Sequence, residues 1–271
     1  MDKLQVSWPS NVDGEPPNGP RRPPPTLGAK RAVKIFVVFN LVQILIGTLA
    51  AIPSVMATVI HAAASGEAPG DSYIPVGPGT VVLVALVSTV LAALVALRMT
   101  RRTLPGSIRS NALSSIGWSR TSTSQAAMTA ALGAAVALLY MLVLVRLFPP
   151  AADRALGPLG EAIKSGGWPL RVWALSALIA APIEEFVYRG VLFSGLSRSW
   201  GRPWAGLFAT VVFVFAHLLE VRTYWPALLS VTSVATALVL LLIRSNSLVP
   251  GVLCHAAYNA VVAAAVVGSA G

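Results

Sequence analysis

The chain has 271 residues, of which 55% are apolar and only 11% charged. Soluble domains carry about 25% charged residues, so this composition excludes an ordinary water-soluble globule and points to a polytopic membrane protein. The net charge of +10 does not signal a nucleic-acid partner, because the arginines sit in short loops between apolar runs, where they control topology.

Residues 1–32 hold Pro9, Pro16, Pro17, Pro20 and the run Pro23–Pro25, interspersed with Gly, Asn and Arg. Such a segment cannot bury a core and is expected to form a disordered cytoplasmic tail. No secretory signal is evident, because this long polar stretch precedes the first apolar run, so that run is expected to stay as a span. Seven apolar segments follow, at about 34–63, 79–98, 126–148, 172–196, 204–219, 226–243 and 247–267, against a length of about 20 residues for a helical span. The expected fold class is therefore all-α, a polytopic transmembrane bundle of about seven spans. The first segment is long and contains Pro53, which predicts a kink, a tilt or an interfacial end. A single cysteine, Cys254, rules out an internal disulfide and reads as a small packing residue.

Loop charge sets the orientation. With the N-terminus inside, the cytoplasmic segments hold Lys3, Arg21, Arg22, Lys30, Arg31, Lys34, Arg98, Arg101, Arg102, Arg109, Arg120, Arg198, Arg202 and Arg244. The other side holds Arg146, Arg154, Lys164, Arg171 and Arg222. Fourteen basic residues against five is a positive-inside bias, which predicts N-terminus in and C-terminus out.

The fourth segment breaks the apolar pattern with Glu184, Glu185 and Arg189. A charge at the centre of a membrane helix costs about 2.5–3.5 kcal/mol on insertion scales, so such residues mark a functional site by default. Glu185 and Arg189 are four apart, share a helix face and can pair. Glu184 points roughly 100° away, and its neighbour one turn on is Tyr188, not a cation. A partly desolvated carboxylate without an intrahelical partner suits a general base; the bland reading is that all three residues stabilise helix packing.

The fifth segment carries Phe213-x-x-x-His217 and the last carries His255-x-x-x-Asn259. His255 and Asn259 project from one face and can donate to an oxyanion or, equally, join neighbouring helices. Glu184, His217, His255 and Asn259 all fall roughly 12–20 Å from the cytoplasmic ends of their segments, so they can meet in one buried cavity. Two histidines and a carboxylate can activate water, directly or through a metal. His61, near the outer end of the first span, reads as an interfacial residue.

The three motifs, Glu184-Glu185-x-x-x-Arg189, Phe213-x-x-x-His217 and His255-x-x-x-Asn259, in this order and each within an apolar segment, resemble those of the CPBP family. That family comprises type II CAAX prenyl endopeptidases and bacteriocin-processing or immunity (Abi) proteins. The resemblance covers about residues 170–263. The N-terminal transmembrane region of three spans over 33–169 lies outside it, and the resemblance implies a catalytic core of four spans over 170–267. It also implies an intramembrane endopeptidase in which Glu184 activates water with help from His217. His255 and Asn259 would form the oxyanion hole, and Glu185 and Arg189 would support the site.

Glutamate and metal mechanisms are both open at this stage: Glu184, His217 and His255 would be the zinc ligands, although no H-E-x-x-H helix is present. The implied partners are a peptide or membrane-protein substrate and the lipid bilayer, with no nucleic acid. An Ala-, Arg- and Pro-rich composition points to a GC-rich bacterial source, hence a bacterial plasma membrane. Two other readings use the same residues: a proton-coupled transporter and a non-catalytic immunity or scaffold protein of the same fold.

Overall fold

Each of the seven apolar segments becomes a helix in the computed structural model, which describes residues 27–65, 77–104, 114, 116–149, 165–221 and 224–269. Residues 1–26, most of the expected Pro-rich tail, lie outside the described residues. The helices are α1 (Ala29–Ser65), α2 (Pro78–Thr103), α3 (Thr123–Leu147), α4 (167–200), α5 (Arg202–Val221), α6 (Trp225–Ser245) and α7 (Val249–Ser269). Among the described residues there is no strand, and the chain is an all-α helical bundle.

Five helices (α1, α2, α3, α6 and α7) are long and apolar enough to cross a membrane. The other two differ for plain reasons: α4 carries the three charges, and the apolar stretch of α5 is shorter. Helix α1 begins at Ala29, inside the stretch expected to be tail, because Leu27 and Ala32 are buried against the bundle. It continues through Pro53 for 37 residues, about 55 Å of helix, longer than a hydrocarbon core of about 30 Å. Ile44, Leu45, Leu49 and Ile60 on α1 are exposed, as residues facing lipid are.

Small residues let the rods approach. Thr129, Gly133 and Ala137 are the buried residues of α3, spaced four apart, and a Cβ on Gly133 would overlap the Cys254 carbonyl of α7. Buried Ala92, Ala96 and Thr100 make the same kind of seam on α2. Seams of small residues are how helices pack without a hydrophobic driving force. Cys254 is itself fully buried at the α3–α7 contact, a packing residue as its isolation in the sequence suggests.

Helix α4 is the central rod. Its first half packs on α2 and α7, and its second half on α1 and α5. Pro182 lies within it and has no amide hydrogen, so one rung of the ladder is missing there. Just beyond, Glu185–Phe193 forms a π-helix, and all nine of its residues are buried. Ser194 Oγ donates to the Arg189 carbonyl (3.1 Å) at the end of this widened stretch. π-helical turns are uncommon and concentrate at functional sites.

Candidate active site

The fully buried pair Glu185 and Arg189 is the foundation of the site. Arg189 Nη1 donates to Glu185 Oε1 at 3.0 Å, and both side chains are 0% exposed. Arg189 Nη2 donates to the Ala235 carbonyl on α6 at 3.3 Å, tying the pair to a second helix. The spacing of four residues thus produces the expected ion pair, even though the backbone between the partners is π rather than α.

His255 reaches this pair from α7. Its Nδ1 lies 3.1 Å from Glu185 Oε1, and its Nε2 lies 3.8 Å from Glu184 Oε2. A carboxylate only accepts, so Nδ1 carries the hydrogen and Nε2 is the nitrogen turned to Glu184. Glu184 is 20% exposed and Glu185 is wholly enclosed, so two adjacent carboxylates occupy different environments on either side of one imidazole. Glu184 has no partner along its own helix; its partner comes from α7. Glu185 touches the histidine as closely as it touches the arginine.

The i, i+4 repeat on α5 explains how His217 arrives. Ala205, Ala209 and Phe213 are buried at successive intervals of four, and His217 is the next residue on that inward seam. His217 Nδ1 donates to the Phe213 carbonyl at 2.9 Å, which leaves Nε2 as the nitrogen available for chemistry. The His217 ring lies 4.5 Å from that of Phe213, and Phe213 in turn meets His255 edge-on at 5.8 Å.

Asn259 stands one turn beyond His255, and its Nδ2 donates to the Ala177 carbonyl on α4 at 2.7 Å. This bond uses one of its two amide hydrogens. Glu184, Glu185, Arg189 and His255 are therefore joined by direct polar contacts or a near approach, His217 by ring packing, and Asn259 by a bond to backbone. Gly251 completes the α7 seam: a Cβ there would lie 3.1 Å from Glu185 Oε2.

A metal mechanism would draw on Glu184, His217 and His255 as ligands. Among the described residues no three His, Cys, Asp or Glu side chains are grouped to hold a metal ion. Each histidine has its Nδ1 committed, one to a carboxylate and one to a carbonyl, which leaves Nε2 free in both, as it also is in histidines that bind a metal.

Residues 166–261 match the family model described as type II CAAX prenyl endopeptidase Rce1-like. The chain carries an Rce1-like domain. That domain spans α4 to α7 and contains all six of the polar residues above. The match is to the family of CAAX-type membrane endopeptidases, and the chain's five long apolar helices are of the kind found in integral membrane proteins. No curated protein and no solved structure matches the chain.

Two features of the site do not follow from the spacing of the motifs. Phe213 sits among Arg189, His217 and His255, a position that only tertiary packing defines. An apolar cleft of about 180 Å³, lined by Ala93, Leu94, Leu97, Pro182, Ile183 and Phe186, opens between α2 and α4. Its α2 half comes from outside the matched domain, so no motif in residues 166–261 marks it.

Proposed function

We propose that the chain is an intramembrane endopeptidase of the glutamate type, acting on a peptide bond of a membrane-associated protein or peptide. The observation that carries this reading is His255 held between Glu184 and Glu185, at 3.8 Å and 3.1 Å, in an almost fully enclosed site. A 3.8 Å gap is too long for a direct hydrogen bond and suits two groups that share a third oxygen.

In the proposed reaction, Glu184 takes a proton from water as the water oxygen attacks the carbonyl carbon. The charge that develops on the carbonyl oxygen is met by the second amide hydrogen of Asn259 and by His255, whose Nε2 shares the proton that Glu184 has taken from the water. His217 Nε2 helps to orient the water. The C–N bond then breaks as Glu184 returns its proton to the leaving amine. Glu185 and Arg189 hold His255 in place. The cleft between α2 and α4 is lined by residues that flank Glu184 in the chain, and it suits an apolar part of a substrate arriving from the lipid.

The test is terminus-selective mass spectrometry on membranes from cells making the wild type, Glu184→Ala or His217→Ala at equal levels. New peptide termini present with the wild type and lost with both variants are expected. Identical termini in all three would overturn the assignment. A carrier would instead move solute in proteoliposomes and leave no cleavage product. Loss of cleavage on chelation, restored by added zinc, would replace the glutamate mechanism with a metal one.

A further inference from the structure

Phe213 is 1% exposed and is the point where the separate parts of the site touch. The Arg189 guanidinium carbon lies 4.4 Å from its ring centroid, and the His217 ring 4.5 Å. His255 meets its edge at 5.8 Å with the planes 71° apart, and Tyr188 packs against it at 5.1 Å. Its backbone carbonyl also accepts from His217 Nδ1. One residue therefore contacts both histidines and the cation that secures Glu185.

Arg189 gives this arrangement physical weight. Its Nη atoms are bonded to Glu185 and to the Ala235 carbonyl, but its buried Nε has no hydrogen-bond partner. A fully enclosed guanidinium with an unsatisfied N–H is held by what lies against its face, and an aromatic ring at cation–π distance provides that hold. A shift of Arg189 would release Glu185 Oε1, and with it the bond that fixes His255 Nδ1.

We propose that Phe213 is a positioning residue: its ring holds the Arg189–Glu185 pair and, through it and by direct contact, sets the tautomer and orientation of His255 and His217. The inference rests on the protease reading only where turnover is measured.

The test uses the full-length chain in lipid nanodiscs, labelled with ¹⁵N-histidine. The three histidines, His61, His217 and His255, supply the signals. In the wild type, the ring nitrogens of His217 and His255 are expected to report one tautomer each. Phe213→Leu removes the π face while keeping a bulky apolar side chain. It is expected to mix the tautomers at both positions and to leave His61 unchanged. On a peptide spanning a Glu184-dependent cleavage site, kcat should fall roughly tenfold or more with KM changed by less than about twofold.

Single tautomers retained in Phe213→Leu overturn the proposal, whatever happens to the melting temperature. If that variant does not fold, mono- to trifluorinated phenylalanines at position 213 keep the shape and weaken the π face stepwise. Graded histidine changes are then expected, and a flat response overturns the proposal. Histidine changes without any Glu184-dependent cleavage would support the positioning role and reject the protease reading.

Discussion

At the scale of single residues, the site turns on a buried ion pair whose members depend on each other. Replacing Arg189 with Met leaves the fully enclosed Glu185 without its cation, a change that typically costs about 3–5 kcal/mol. Thermal unfolding in detergent should show that loss. The double variant Glu185→Gln/Arg189→Met should recover part of the stability, because no lone charge remains. It should not recover cleavage, because His255 Nδ1 has lost its carboxylate. Recovery of both would mean that the pair serves folding alone. Gly251→Ala tests the same carboxylate from the other side, since the new methyl would sit 3.1 Å from Glu185 Oε2. A roughly tenfold loss of cleavage with little change in melting is expected from so small a displacement. The Glu185–Arg189 pair was legible in the sequence because both partners lie on one helix at a spacing that physics rewards. The bond from Glu185 to His255, seventy residues away, was not, because helical spacing says nothing about which helices meet.

At the scale of elements, the histidine of α7 is placed by packing on its far side. Gly133 lets α3 approach the Cys254 carbonyl, one residue before His255, so backbone contact there sets where His255 stands. Gly133→Val should force the two helices apart, costing about 1–3 kcal/mol as overpacking does, and should lower cleavage as His255 retreats from Glu184. Gly47→Ala on α1 is the control: no atom lies within 4 Å of a Cβ there, so melting and cleavage should stay near wild type. Equal behaviour of the two variants would show that the close approach is not what positions α7. The positions of all seven helices could be read from runs of apolar residues, since that signal is local. The π-helix over Glu185–Phe193 could not; Pro182 is its one local clue, and a proline announces a missing rung without saying how the ladder resumes. His217 lay within reach of sequence reasoning through the Ala205, Ala209 and Phe213 repeat, whereas the ring contacts of Phe213 required the fold.

Across the whole molecule, paired contacts show that the rods alternate. Gln43 bonds Thr89 while Arg31 reaches Thr103, so α1 and α2 are antiparallel. Arg202 caps the end of α6 through Asn246, Leu242 and Ile243, so α5 and α6 are antiparallel. Gly251 faces Glu185 while Asn259 bonds Ala177, so α4 and α7 are antiparallel as well. Trp168 packs over Gly79 at the starts of α4 and α2, which run side by side in the same direction. These directions fit seven consecutive crossings, including α4 and α5, and they put the start of α1 and the end of α7 on opposite faces. The arginine-rich ends of α2, α4 and α6 and the start of α5 then share one face, carrying Arg101, Arg102, Arg198, Arg202 and Arg244. Exposed Trp200 and Trp204 lie at that face, and exposed Trp168 and Trp225 at the other, where interfacial tryptophans belong. Because basic loops are retained in the cytoplasm, the arginine face is expected inside. A reporter inserted at Gly201 should then read as cytoplasmic and one fused after Gly271 as external. A cytoplasmic signal from the second fusion would require an even number of crossings, and Glu184 would then have to reach its substrate from a differently threaded bundle.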